Sequence, residues 1–175
     1  MSRSLTHHYA GWFLRALSLL LVIKTSGLWL RCIDAIQYVP REGWILTTWL
    51  LLLMIGWVGI FWRRGTMLMT TQVPFPVAIV WLTFRAFFDA IAATILALGL
   101  IVCSLLIFGG PIAQESMLNI SFASHITTEH IGWSALINWT LHSSTAVLFY
   151  SAGLRFDDAL DHLKKAPVPA SPAHP

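Results

Sequence analysis

The chain has 175 residues, of which 57% are hydrophobic and only 11% charged, with nine tryptophans and ten phenylalanines. A typical soluble domain carries about 25% charged residues, so a water-soluble globule of this size is excluded and a bilayer is the natural host. The net charge of +3 is spread thinly, and no Lys/Arg stripe tracks a phosphate backbone, so nucleic-acid binding is excluded as well.

The first apolar element covers residues 12–33. It has no small-x-small cleavage site and further apolar segments follow, so it reads as a retained membrane helix rather than a signal peptide. Lys24 interrupts it near its middle. A central ammonium costs about 3 kcal/mol on insertion scales, and something must offset that. Four answers are open: snorkelling, an ion pair within the chain, a partner subunit, or proton and ion handling. Thr25 and Ser26 follow directly, and Gly27 permits a close helix approach.

The second element, residues 44–62, has Trp44 and Trp62 at its two ends, as expected of side chains at the headgroup level. Its nineteen residues rise about 28 Å, close to the hydrocarbon thickness. The third, residues 77–108, is too long for one perpendicular span, so it is expected to be a long or bent helix. Pro74 and Pro76 precede it, and Gly109, Gly110 and Pro111 end it. Arg85 and Asp89 stand one turn apart inside it and form a self-contained pair in the simplest reading. Alternatively, Lys24 takes Asp89 and leaves Arg85 for a quinone headgroup, a phospholipid phosphate or a carboxylate. The fourth element, residues 133–152, is more polar. Ser134, Asn138, His142 and Thr145 lie on one of its faces, and such a face turns toward protein or a water-filled space rather than lipid.

The expected fold is therefore all-α, an integral membrane domain of four transmembrane helices over residues 1–165. A Pro/Ala-rich tail, 166–175, is expected to be extended or disordered. The 109–132 loop has room for a short helix, and LRFDDALDHLKK reads as a separate short amphipathic helix. Seven basic residues (Arg3, Arg15, Arg63, Arg64, Arg155, Lys164, Lys165) fall on one side of a four-span arrangement and two, Arg31 and Arg41, on the other. The positive-inside rule then puts both termini in the cytoplasm, the arrangement of an inner-membrane protein.

Chemistry-bearing motifs are few. Cys32 and Cys103 are 71 residues apart without CxxC spacing and read as free thiols. His125, Glu129 and His130 occur as HITTEH, which is not the zinc-hydrolase order, so no metal site is expected. No nucleophile elbow, P-loop or dinucleotide loop is present. A haem would need a second axial ligand at the depth of His142, which the chain does not offer by itself. These features point to a small non-catalytic subunit that anchors or stabilises a larger membrane complex, in contact with lipids and other integral membrane subunits. Two alternatives stand beside it. One is a redox subunit contributing Lys24, Arg85, Asp89 or His142 to a quinone or shared haem pocket. The other is an oligomeric small transporter or channel. Lys24, Arg85, Asp89, Asn138, His142 and Thr145 are the candidate intramembrane or interface residues.

Overall fold

Hydrocarbon offers no partner for backbone N–H and C=O groups, so an apolar chain satisfies them within helices. The computed structural model describes residues 2–71, 73–120 and 131–165. They form five helices: α1 (Ser2–Ala35), α2 (Pro40–Thr70), α3 (Phe75–Phe108), α4 (Pro111–Ile120) and α5 (Ile131–Lys165). The fold is an all-α bundle.

Three of these helices, α1 from Leu5 onward, α2 and α3, are long and apolar enough to cross a membrane. This corrects the expectation of four such spans. At 35 residues α5 has the length but not the composition, because Ser134, Asn138, Thr140, His142, Ser143, Ser144 and Thr145 crowd its first half.

The element ends follow from local chemistry. Pro40 opens α2 in its first turn, where its missing N–H costs nothing. Pro74 caps α3, and Pro76 sits in its first turn. Gly109 closes α3, its N–H donating to Leu105 O at 2.9 Å. The long third block is thus one uninterrupted helix of 34 residues, about 51 Å in length. The helices also run past the limits set by bilayer thickness. In particular, LRFDDALDHLKK is not a separate helix but the continuation of α5. The expected short helix between α3 and α5 is present as α4. The turn before it is tied to α2 by the Gly110 N–H, which donates to Glu42 Oε1 at 2.6 Å. The 166–175 tail and residues 121–130, which include His125, Glu129 and His130, lie outside the described residues.

The long helices pack antiparallel in sequence order, α1 on α2, α2 on α3, and α3 on α5. Gly11 and Gly65 mark the α1–α2 crossing, where a Cβ on Gly11 would come within 2.6 Å of Gly65 O. Between α2 and α3, Trp57 donates to Thr94 Oγ1 at 3.1 Å and Trp49 to Ser104 Oγ at 3.0 Å. Along α3, Gly99 makes room for His142, and the Cys103 thiol donates to Ala135 O at 3.2 Å. The main core gathers Leu14, Phe61, Leu68, Leu82 and Ala86 where the starts of α1 and α3 meet the end of α2. Most other large apolar side chains face outward: in the most apolar stretch of α1 only 6% of residues are buried. In water that surface would be untenable; against acyl chains or another protein it is ordinary.

Candidate functional site: an interhelical charge ring

The last turns of α2, the first half of α3 and the second half of α5 bring four charges together. Arg64 comes from α2, Arg85 and Asp89 from α3, and Asp157 from α5. Arg64 Nη2 lies 2.8 Å from Asp89 Oδ2, and its Nη1 lies 3.4 Å from Asp157 Oδ1. Arg85 Nη2 lies 3.1 Å from Asp89 Oδ1, and its Nε lies 3.2 Å from Asp157 Oδ2. Each arginine therefore touches both carboxylates, and each carboxylate touches both arginines. The ring closes and carries no net charge.

Burial is graded around the ring. The Arg85 side chain is 2% exposed, Arg64 6%, Asp89 12% and Asp157 34%, so the ring meets the outside at Asp157. Arg64 makes hydrogen bonds to both carboxylates. Arg85 directs its hydrogen bond elsewhere, from Nη1 to Tyr150 O at 3.0 Å. Its contacts to Asp89 and Asp157 have ionic distances without hydrogen-bond alignment, which leaves Nε and Asp89 Oδ1 outside any hydrogen bond. The Tyr150 ring lies 4.9 Å from the Arg85 guanidinium. An aromatic wall stands beside it: Phe156 meets Trp81, Phe84 and Phe88 at centroid distances of 5.1, 6.0 and 5.3 Å. Low local polarity strengthens each ion contact and raises the penalty for losing one partner.

This arrangement joins three helices rather than presenting a reactive group. Asp89 is held by two arginines and is not available to Lys24. Arg85 is enclosed and is not free for an anionic ligand. Arg64 and Asp157 escape a reading of the sequence, in which Arg64 is one of the flanking basic residues and Asp157 part of a terminal helix. Only the i,i+4 spacing of Arg85 and Asp89 is visible there; the register between helices supplies the other two.

The remaining candidates are dispersed. Lys24 is exposed on α1 and has no hydrogen-bond or ion-pair partner among the described residues. Asn138 is buried and donates from Nδ2 to Ser134 O at 2.9 Å. The Thr145 hydroxyl donates to Leu141 O at 2.8 Å. His142 Nδ1 lies 2.8 Å from Asn138 O. A carbonyl only accepts, so Nδ1 carries a proton, and Nε2 has no hydrogen-bond partner among the described residues. His7, His8 and His162 stand at the opposite end of the bundle. Among the described residues no group of three His, Cys, Asp or Glu side chains could hold a metal ion.

A second feature missed by the sequence lies near the depth of the ring. The Arg15 guanidinium is held between two exposed indoles, 4.9 Å from the Trp12 centroid and 4.5 Å from that of Trp62. Arg15 Nη2 also donates to Thr66 Oγ1 at 2.8 Å. Tryptophan and arginine together suit the headgroup layer, and Trp44 at the far end of α2 is 61% exposed. On the other side of α1, an open apolar groove of about 380 Å³ runs between Phe13 and Leu14 and the Val80, Phe84 and Phe87 side of α3.

Compared with protein-family models, curated proteins and solved structures, the chain matches none.

Proposed function

We propose that the chain is a small non-catalytic subunit that anchors or stabilises a larger integral membrane complex. The observation that carries this reading is the outer face of α1. It is apolar and almost wholly exposed, and it presents an unpaired Lys24 in mid-span. The charge ring supports the same role from the other side of the chain, since it fixes α2, α3 and α5 to one another at a neutral junction. Gentle detergent extraction followed by mass measurement tests the proposal. Co-purification with a stoichiometric membrane protein is the expected result; a monodisperse monomer from native membranes would count against it.

We further propose that α5, though not apolar enough to count with the three candidate spans, crosses beside them, with both termini in the cytoplasm. The support is that α5 lies antiparallel on α3 from Arg85 opposite Gly153 to Cys103 opposite Ala135. A helix packed along a membrane-crossing neighbour crosses with it. The hydroxyls of Thr140, Ser143 and Thr145 bond back to carbonyls of their own helix, which lowers the cost of carrying them into lipid. The basic residues at the N-terminal end of α1, the end of α2 and the end of α5 set the orientation.

One observation favours the redox reading as the alternative: the free Nε2 of His142. That atom suits a haem iron or the hydroxyl of a quinol, because a neutral imidazole bonded through Nδ1 accepts but does not donate at Nε2. A second axial ligand would have to come from a partner. An optical spectrum and a quinone extraction of the complex, repeated with His142→Ala, separate this reading from the first. The transporter reading has less support, since Lys24 faces outward rather than into an interior lined by helices.

A further inference from the structure

The direction of Lys24 on α1 carries more than its lack of a partner. Phe13, Leu17, Leu20, Lys24, Gly27 and Arg31 recur at intervals of four, three, four, three and four residues. That is the repeat of a helix that winds against another helix in a left-handed crossing. Leu17 is half-buried against the core; the other five are exposed. Beyond Leu17, the seam has nothing packed on it among the described residues. At its start the seam borders the apolar groove between α1 and α3. At Gly27 a Cβ would meet no atom within 4 Å, so that position is open to an approaching backbone.

Lys24 decides what fits the seam. Arg15 on Thr66 and Trp29 on Thr47 fix the register of α1 on α2, and Lys24 falls between those levels, in the middle of α2's apolar stretch. A charge at a seam position of a membrane helix selects its partner by what stands opposite. A second copy in the same orientation would bring Lys24 against Lys24 at equal depth. The chain's carboxylates do not relieve that. Within the apolar part of the long helices they are limited to Asp89, which Arg64 and Arg85 already hold near the other end of the bundle.

We infer that the α1 seam is the docking surface for one transmembrane helix of a different protein, with an aspartate or glutamate opposite Lys24. The inference rests on the subunit reading above and specifies the partner's chemistry. Gly27 sets the closest approach, one turn beyond the ion pair. Phe13, Leu17 and Leu20 supply apolar contact on the side nearer the amino terminus, where the groove widens the surface.

The test is photocrosslinking in native membranes with the full-length chain, the reactive side chain replacing Leu20 on the seam or, as control, exposed Leu19 off it. The expected result is one heterologous adduct from position 20, with the crosslinked segment bearing an Asp or Glu. Capture alone does not support the inference; charge exchange does. Lys24→Glu should lower the adduct yield by about tenfold, the size of one interhelical polar contact, while Lys24→Arg keeps it. Lys24→Glu combined with a lysine in place of the partner's carboxylate should restore it. A self-adduct, or a yield indifferent to Lys24→Glu, overturns the inference. If a partner co-purifies but crosslinks only from position 19, the seam is wrong and the subunit reading stands. If no partner co-purifies, the subunit reading itself fails. Unchanged melting of each variant in detergent separates lost docking from lost folding.

Discussion

Gly153 on α5 faces Arg85 on α3 so closely that a side-chain carbon at position 153 would fall on the guanidinium. The hydrogen at Gly153 thus makes room for the most buried charge among the described residues. Arg85 has no easy retreat, because both carboxylates and Tyr150 O hold it. Gly153→Ala should lower stability in detergent by about 2–3 kcal/mol, through overpacking and loosened ion contacts. Gly56→Ala, where a Cβ meets nothing within 4 Å, should leave stability unchanged or slightly raised. Equal losses in the two variants would show that Arg85 is not locked in place.

The neutrality of the ring predicts a compensation. Asp89→Asn keeps the shape but leaves two buried arginines facing one carboxylate, and should cost about 3 kcal/mol. Adding Arg64→Leu restores the charge balance, leaving Arg85 with Asp157. The double variant should recover about 1 kcal/mol or more relative to the sum of the single losses, the coupling expected of contacting residues. Additive losses in unfolding experiments would mean that the four charges act as separate pairs.

How much of this is legible in the sequence depends on whether a feature is local. Pro74 with Pro76 and Gly109 mark the ends of α3 because they act on their own backbone. Arg85 and Asp89 are readable as neighbours because one helical turn separates them. Arg64 and Asp157 are not, because joining them needs the register of α2 and α5 on α3. That register is set by contacts such as Trp57 with Thr94 and His142 with Gly99. The helices outrun the apolar windows because helix propensity does not stop at the edge of the hydrocarbon. RFDDALDHLKK, which is polar, continues α5 without a break. The polarity of α5 misleads in another way: it makes the segment look like a partner-binding face, yet Asn138, His142 and Thr145 spend hydrogen bonds on their own helix.

Lys24 should be dispensable for folding of the isolated chain. Among the described residues it touches no hydrogen-bonding or ionic partner, so Lys24→Leu should change unfolding stability by less than about 0.5 kcal/mol. Insertion into the bilayer should become easier, since the central charge is gone. The two measurements are unfolding in detergent and insertion efficiency in a translocation assay. A loss above about 1 kcal/mol in the first would reveal an internal partner for the lysine and remove the main argument for an outward-facing role.

The course of α5 decides between three and four crossings. Its contacts with α3 extend from Gly153 at the charge ring to Ala135 near the start of the helix, and this is the support for the proposed fourth crossing. Its serine and threonine hydroxyls need no water, since Thr140, Ser143 and Thr145 each donate to a carbonyl one turn back. Single cysteines at Trp133, Ser144 and Arg155, with Cys32 and Cys103 replaced by serine, make this measurable in sealed vesicles. Positions 133 and 155 should react with a membrane-impermeant maleimide from opposite sides. Position 144 should be protected from both, although its side chain is exposed on the protein surface. Labelling of 133 and 155 from the same side would leave only the three apolar helices as spans. After Asp89, α3 is apolar for nineteen residues, to Phe108, with only Thr94 and Ser104 carrying hydroxyls. Both hydroxyls accept hydrogen bonds from α2 indoles, so this whole stretch of α3 is suited to lipid, and α5 is packed against it.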